Sequence, residues 1–130
     1  MNDARRFLKD HKSVLMPARL RQYVCPVISS EYDDMLNIWD GLEGDHRLNF
    51  ASAKSMAYHM PYQLPVKVEH LLQAGTQLWD EIDFYQENPP LRPRRFFVWS
   101  NVKRPIHGFC VWWEADLLPG IKVRQSTAAN

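Results

Sequence analysis

Four carboxylates stand where strand alternation could make them act together. Glu81 and Asp83 are two apart in Trp-Asp-Glu-Ile-Asp-Phe-Tyr (79–85), and Glu114 and Asp116 are two apart in Val-Trp-Trp-Glu-Ala-Asp-Leu (111–117). Successive side chains of a strand point to opposite faces, so each pair shares one face. Facing carboxylates can hold a cationic ligand or serve as acid and base. The plainer reading is a polar outer face above an apolar inner one. Trp99, Trp112 and Trp113 pose the same choice between a stacking platform for bases or cations and packing within apolar strands. The apolar runs around them favour packing.

Other chemistry is thinly represented. The five histidines (His11, His46, His59, His70, His107) are scattered, with no pair at metal-binding helical spacing. Cys25 and Cys110 form no Cys-x-x-Cys motif and sit in apolar, strand-like runs, which suits buried free thiols. No glycine-rich phosphate loop and no nucleophile elbow occur. These readings leave no catalytic, cofactor-binding or metal-binding residue to assign. The net charge of +1 gives no electrostatic case for nucleic acid, and no run is long and apolar enough to span a bilayer. With no apolar leader at the N-terminus, these features predict an intracellular, cytoplasmic protein.

The elements that must position these residues follow from periodicity. Residues 2–9 fit a short helix. Ala18 to Val27 alternates as a strand, with Arg19, Arg21, Tyr23 and Cys25 on one face and Ala18, Leu20 and Val24 on the other. Ser29-Ser30-Glu31 predicts a helix start, and Tyr32, Met35, Leu36 and Trp39 form one helical stripe that Gly41 and Gly44 should end. The every-second-residue apolar spacing from Met56 to Leu64 predicts an extended segment between Pro61 and Pro65. A helical turn is expected within 66–72. Strands are expected over 78–85, 94–100 and 106–117 as consecutive antiparallel neighbours, with a hairpin loop at 101–105. Pro119-Gly120 should turn into a last strand from Ile121. The expected fold is mainly β (α+β), a partial antiparallel barrel or sandwich with a short N-terminal helix and a helical insertion around 30–72. A last strand with nothing beyond it to pair with is expected to leave an edge exposed.

The order of these segments resembles the protein arginine methyltransferase family. Ala4-Arg5-Arg6-Phe7-Leu8-Lys9 followed by Val14-Leu15-Met16-Pro17-Ala18-Arg19 is similar to the family's passage from cofactor domain into β-barrel. Cys25-Pro26-Val27 with Tyr32 and Trp39 resembles its next strand and helix. Glu81-Ile82-Asp83-Phe84 and Ile106-His107-Gly108-Phe109-Cys110-Val111-Trp112-Trp113 resemble later barrel strands, and Gln125-Ser126-Thr127-Ala128 the segment before its Thr-His-Trp loop. The resemblance divides one incomplete domain into 1–13 (end of the cofactor-domain helix), 14–28 (first barrel strand), 29–75 (helix and dimerisation arm) and 76–130 (barrel strands). It implies transfer of a methyl group from S-adenosylmethionine to arginine in the whole enzyme. The glycine-rich loop, the glutamates that grip the guanidinium and the Thr-His-Trp loop have no counterpart in these residues. The chain is therefore expected to be inactive alone and to bind no cofactor itself. Implied partners are an arginine-bearing peptide or protein, and a second copy or a catalytic half. Trp39, Leu42, Leu48, Phe50 and Met56 are the implied arm contacts, and Glu81, Asp83, Glu114 and Asp116 the implied substrate platform. A free-standing assembly module without catalysis is the alternative.

Overall fold

A computed structural model describes residues 13–46, 49–89, 97, 99 and 103–125. The predicted helix over 2–9 and arm residue Leu48 lie outside these residues, as does most of the predicted strand 94–100 with its hairpin loop. The two described members of that strand, Phe97 and Trp99, are not in strand conformation.

The alternating runs form one open antiparallel sheet. Its strands are β1 (Arg19–Val27), β2 (Gln77–Asp83), β3 (Gly108–Leu118) and β4 (Ile121–Arg124), in the order β2-β1-β3-β4. Where the expected order set the run 94–100, most of which lies outside the described residues, between the runs around Glu81 and Trp112, the sheet places β1. Its arginines satisfy carboxylates on both sides, which direct pairing of two acidic strands would leave facing each other. β2 ends two residues earlier than expected: the Tyr85 N–H bonds to the Asp83 side chain at 2.9 Å and turns the chain. Gly120 provides the β3–β4 turn at φ +80°, a conformation glycine adopts without steric cost.

Three helices are inserted between β1 and β2: α1 (Glu31–Leu36), α2 (Ile38–His46) and α3 (Ala51–Tyr58). The single predicted helix is broken at Asn37 rather than stopped by glycine, and α2 runs on through Gly41 and Gly44. Asn37 leaves helical geometry, its N–H shared between the Asp33 and Asp34 carbonyls. Its side-chain oxygen accepts from the Tyr58 hydroxyl at 2.7 Å, which ties the break to α3. Ser30 precedes α1 but makes no side-chain cap; the Ser29 hydroxyl accepts the Glu31 N–H instead, at 3.3 Å. α3 runs to Tyr58 and ends ahead of the segment between Pro61 and Pro65, which forms neither helix nor strand. Two 3-10 turns, Val68–His70 and Gln73–Gly75, then lead back to the sheet.

Both ends of this insertion are fastened at one place. The Ile28 N–H donates to the His70 carbonyl at 2.8 Å, and the Leu72 N–H to the Pro26 carbonyl at 3.0 Å. The Cys25 thiol donates to the Leu72 carbonyl at 3.2 Å. The buried hydrophobic residues among those described are Val24, Cys25, Val27 and Ala115, and Pro26 is also fully enclosed. The core thus sits where the returning segment crosses the end of β1, and the rest of the sheet is thinly covered.

Candidate functional site: a charged sheet face and an apolar arm

Strand register brings all four predicted carboxylates onto one face. Arg19 is paired with Asp83 on one side and Asp116 on the other, and Arg21 with Glu81 and Glu114. On β4, Lys122 opposes Asp116 and Arg124 opposes Glu114. Two rows therefore cross the sheet with alternating charge, Asp83–Arg19–Asp116–Lys122 and Glu81–Arg21–Glu114–Arg124. Cross-strand neighbours on one face stand close enough for such pairs to stabilise the sheet. Arg21 reaches Glu81 at 3.0 Å and Asp116 at 3.1 Å, and Arg19 reaches Asp83 at 3.2 Å. Burial alone would lower the Arg21 pKa, but Asp116 and Glu81 outweigh it and hold the guanidinium charged more firmly than usual.

Glu81, Asp83 and Asp116 are thus engaged by the chain's own arginines. Asp116 Oδ1 differs: it is buried, accepts no hydrogen bond from the described residues, and has the Lys122 ammonium 3.9 Å away. It borders a cleft of about 570 Å³ that Arg19, Asp83 and Lys122 also line. The part played by Arg19 and Arg21 was not assigned from sequence, although their shared face was legible. Alternation gave the face but not the neighbouring strand.

Beyond the charged rows the same face becomes aromatic and then thiol-bearing. Tyr23 stacks on Trp112 with ring centres 5.6 Å apart, and its hydroxyl donates to Glu114 at 3.3 Å. Burial, then the negative charge of Glu114, raises the Tyr23 pKa. Cys25 opposes Cys110, and both are free. Burial raises both thiol pKa values, with the Cys25 charge adding to that of Cys110. All three groups stay neutral in the fold to higher pH than in the unfolded chain. Their stabilisation is whole below the ordinary thiol value of 9.0 and is lost as pH rises through the raised values. The urea midpoint should therefore fall between about pH 8 and about pH 10, and the fall should shrink in Cys25→Ala/Cys110→Ala. A flat midpoint over that range would contradict the assignment.

The opposite face is apolar and open. Leu20, Trp113, Ala115, Leu117 and Val123 line a groove of about 380 Å³ with Pro17 and Gln22. Trp113 and Val123 are exposed there, as are Trp79, Phe109 and Val111 elsewhere on the strands.

On the insertion, Trp39 packs against Phe50 with ring centres 5.4 Å apart, and Lys54 bonds to Asp40 at 2.7 Å. Trp39, Leu42 and Phe50 are half-buried, whereas Met56 is 66% exposed. Ile38, Met35 and Met60 are exposed with it, and of these sequence reasoning assigned no arm contact. Met35, Ile38 and Met56 thus place one exposed long apolar side chain on each of the three helices. Within the arm the Tyr32 hydroxyl donates to the Pro65 carbonyl at 3.0 Å and His70 lies 3.5 Å from Glu31, while His107, just ahead of β3, lies 3.8 Å from Asp33 of α1.

Every described strand pairing is antiparallel, and among the described residues there is neither a parallel-strand crevice nor a glycine-rich loop leading into a helix. No group of three His, Cys, Asp or Glu side chains that could hold a metal ion occurs among the described residues, and no described helix is long and apolar enough to cross a membrane. Fold and site define an open four-stranded antiparallel α+β domain with an inserted helical arm. Comparisons with protein-family models, curated proteins and solved structures find no match to this chain.

Proposed function

We propose that the chain is the barrel-and-arm part of a protein arginine methyltransferase-like protein. It performs no methyl transfer by itself and works by assembly. The observation that carries this reading is the clamped insertion, which leaves β1 and rejoins it through Ile28–His70 and Leu72–Pro26 hydrogen bonds while exposing Ile38 and Met56. An insertion fastened at its root and apolar at its surface suits docking on a second protein body. By the resemblance, that body is a cofactor-binding domain of the same family, in a partner copy or a separate catalytic half. The charged sheet face then serves as a platform for a basic, arginine-bearing protein or peptide. S-adenosylmethionine belongs to the partner domain.

The test mixes this chain with the isolated cofactor-binding domain of a protein arginine methyltransferase and follows association by calorimetry. Binding is expected, weakened at least about tenfold by Ile38→Asp/Met56→Asp, because charges placed in an apolar contact must be desolvated. The chain alone should give no heat with S-adenosylmethionine. Micromolar binding of the cofactor by the chain, or failure to associate with the domain, would overturn the reading.

The alternative, a free-standing assembly module, is favoured by one observation. Arg19 and Arg21 occupy Glu81, Asp83 and Asp116, which leaves little carboxylate for a substrate arginine.

A further inference from the structure

Among the described residues β4 is a short edge strand whose two faces differ sharply. Lys122 and Arg124 lie on the charged face, and Val123 lines the apolar groove on the other. All four residues of β4 are exposed. On its inner side the Gln125 N–H donates to the Trp113 carbonyl at 3.0 Å. Antiparallel bonding alternates, so Val123 and Gln125 bond inward to β3, and the N–H and C=O groups of Lys122 and Arg124 point outward. The residues that offer the free backbone groups are the same ones that carry positive side chains.

β3 shows what such an edge accepts. It opposes Arg124, Val123 and Lys122 with Glu114, Ala115 and Asp116, an acidic–apolar–acidic triplet. A strand added outside β4 in antiparallel register meets the same side chains from the other side. We infer that the outer edge of β4 is a docking site for an extended segment of a partner protein that alternates acidic, apolar, acidic. Its acidic residues pair with Lys122 and Arg124 through main chain and side chain, and its apolar residue lies beside Val123 above the groove formed with Leu20, Trp113 and Leu117. Strand addition of this kind takes affinity from the main chain and specificity from alternate side chains.

Charge argues against a second copy of β4 as the occupant. Two β4 strands paired antiparallel bring Lys122 and Arg124 of each copy together, and like charges directly opposite are destabilising. Edge lysines guard strands against self-pairing in this way. The inference stands on β4 and its register with β3, and does not depend on the methyltransferase reading or on the arm.

The test is fluorescence anisotropy of the full chain with three labelled peptides. One alternates glutamate and valine, one alternates lysine and valine, and the third is the acidic peptide N-methylated at each glutamate. At low salt the acidic peptide should bind about tenfold or more tighter than the basic one, with the preference shrinking as salt rises. N-methylation should abolish binding. Lys122→Gln/Arg124→Gln, with its fold checked by circular dichroism, should lose the charge preference. Four outcomes each overturn the proposal: equal binding of acidic and basic peptides, no binding of either, acidic binding that survives N-methylation, or self-association in sedimentation that the acidic peptide does not compete.

Discussion

Replacing Arg21 by methionine is expected to lower the unfolding free energy by about 2–3 kcal/mol, read from urea denaturation with an unchanged m-value. Methionine keeps much of the side-chain volume, so the loss reports charge rather than a cavity. Arg21 is only 19% exposed and bonds Glu81 at 3.0 Å and Asp116 at 3.1 Å. Without it, Glu81, Asp83, Glu114 and Asp116 share one face with Arg19 as the only cation left on β1. Removing one partner leaves uncompensated charge, which costs more than the pair contributes. The estimate stands below that for a fully buried pair because Glu81 is partly exposed and solvent screens it. Arg21→Met/Glu81→Gln/Asp116→Asn should recover part of the loss, since neutral amides need no counter-ion. A single variant as stable as the parent would show that solvent already screens these pairs.

This charged face marks how much was legible in the sequence. Alternation placed Arg19 with Arg21, Glu81 with Asp83, and Glu114 with Asp116, because a period of two fixes the face of every residue in a strand. It does not say which strand lies beside which. The order β2-β1-β3-β4 depends on cross-strand charge pairing and on the long arm connection, neither of which a local pattern records. The arm shows a different limit. Gly41 and Gly44 lower helix propensity, yet α2 passes through both, whereas the chain breaks at Asn37, where a tertiary bond from Tyr58 takes the side chain. The run from Met56 alternated like a strand while its first residues finish α3; a short apolar run carries too few positions to separate the two periods. Met56, named as an arm contact by the resemblance alone, is exposed. The exposure of Ile38 was not legible, because it follows from the turn at Asn37 that starts α2.

The returning segment offers the second large effect. Gly75→Val is expected to destabilise the fold by about 1–3 kcal/mol, as overpacking of a filled site does. A Cβ added there meets Trp99 Cδ1 at 3.0 Å and Leu72 Cδ2 at 3.1 Å. The Trp99 ring cannot simply retreat, because its Nε1–H donates to the Gly75 carbonyl at 2.6 Å and the ring packs on Phe109 with centres 5.3 Å apart. The cost therefore includes a hydrogen bond and an aromatic contact, and it falls where Leu72 fastens the arm to Pro26. Gly41→Ala is the matched control: nothing lies within 4 Å of its added Cβ, and in the interior of α2 alanine should stabilise by roughly 0.5–1 kcal/mol. If Trp99 is the obstacle, Trp99→Ala and Gly75→Val must be strongly non-additive, the second substitution costing little once the ring is gone. Additive losses in that double-mutant cycle would shift the clash to Leu72 alone and detach Trp99 from the clamp.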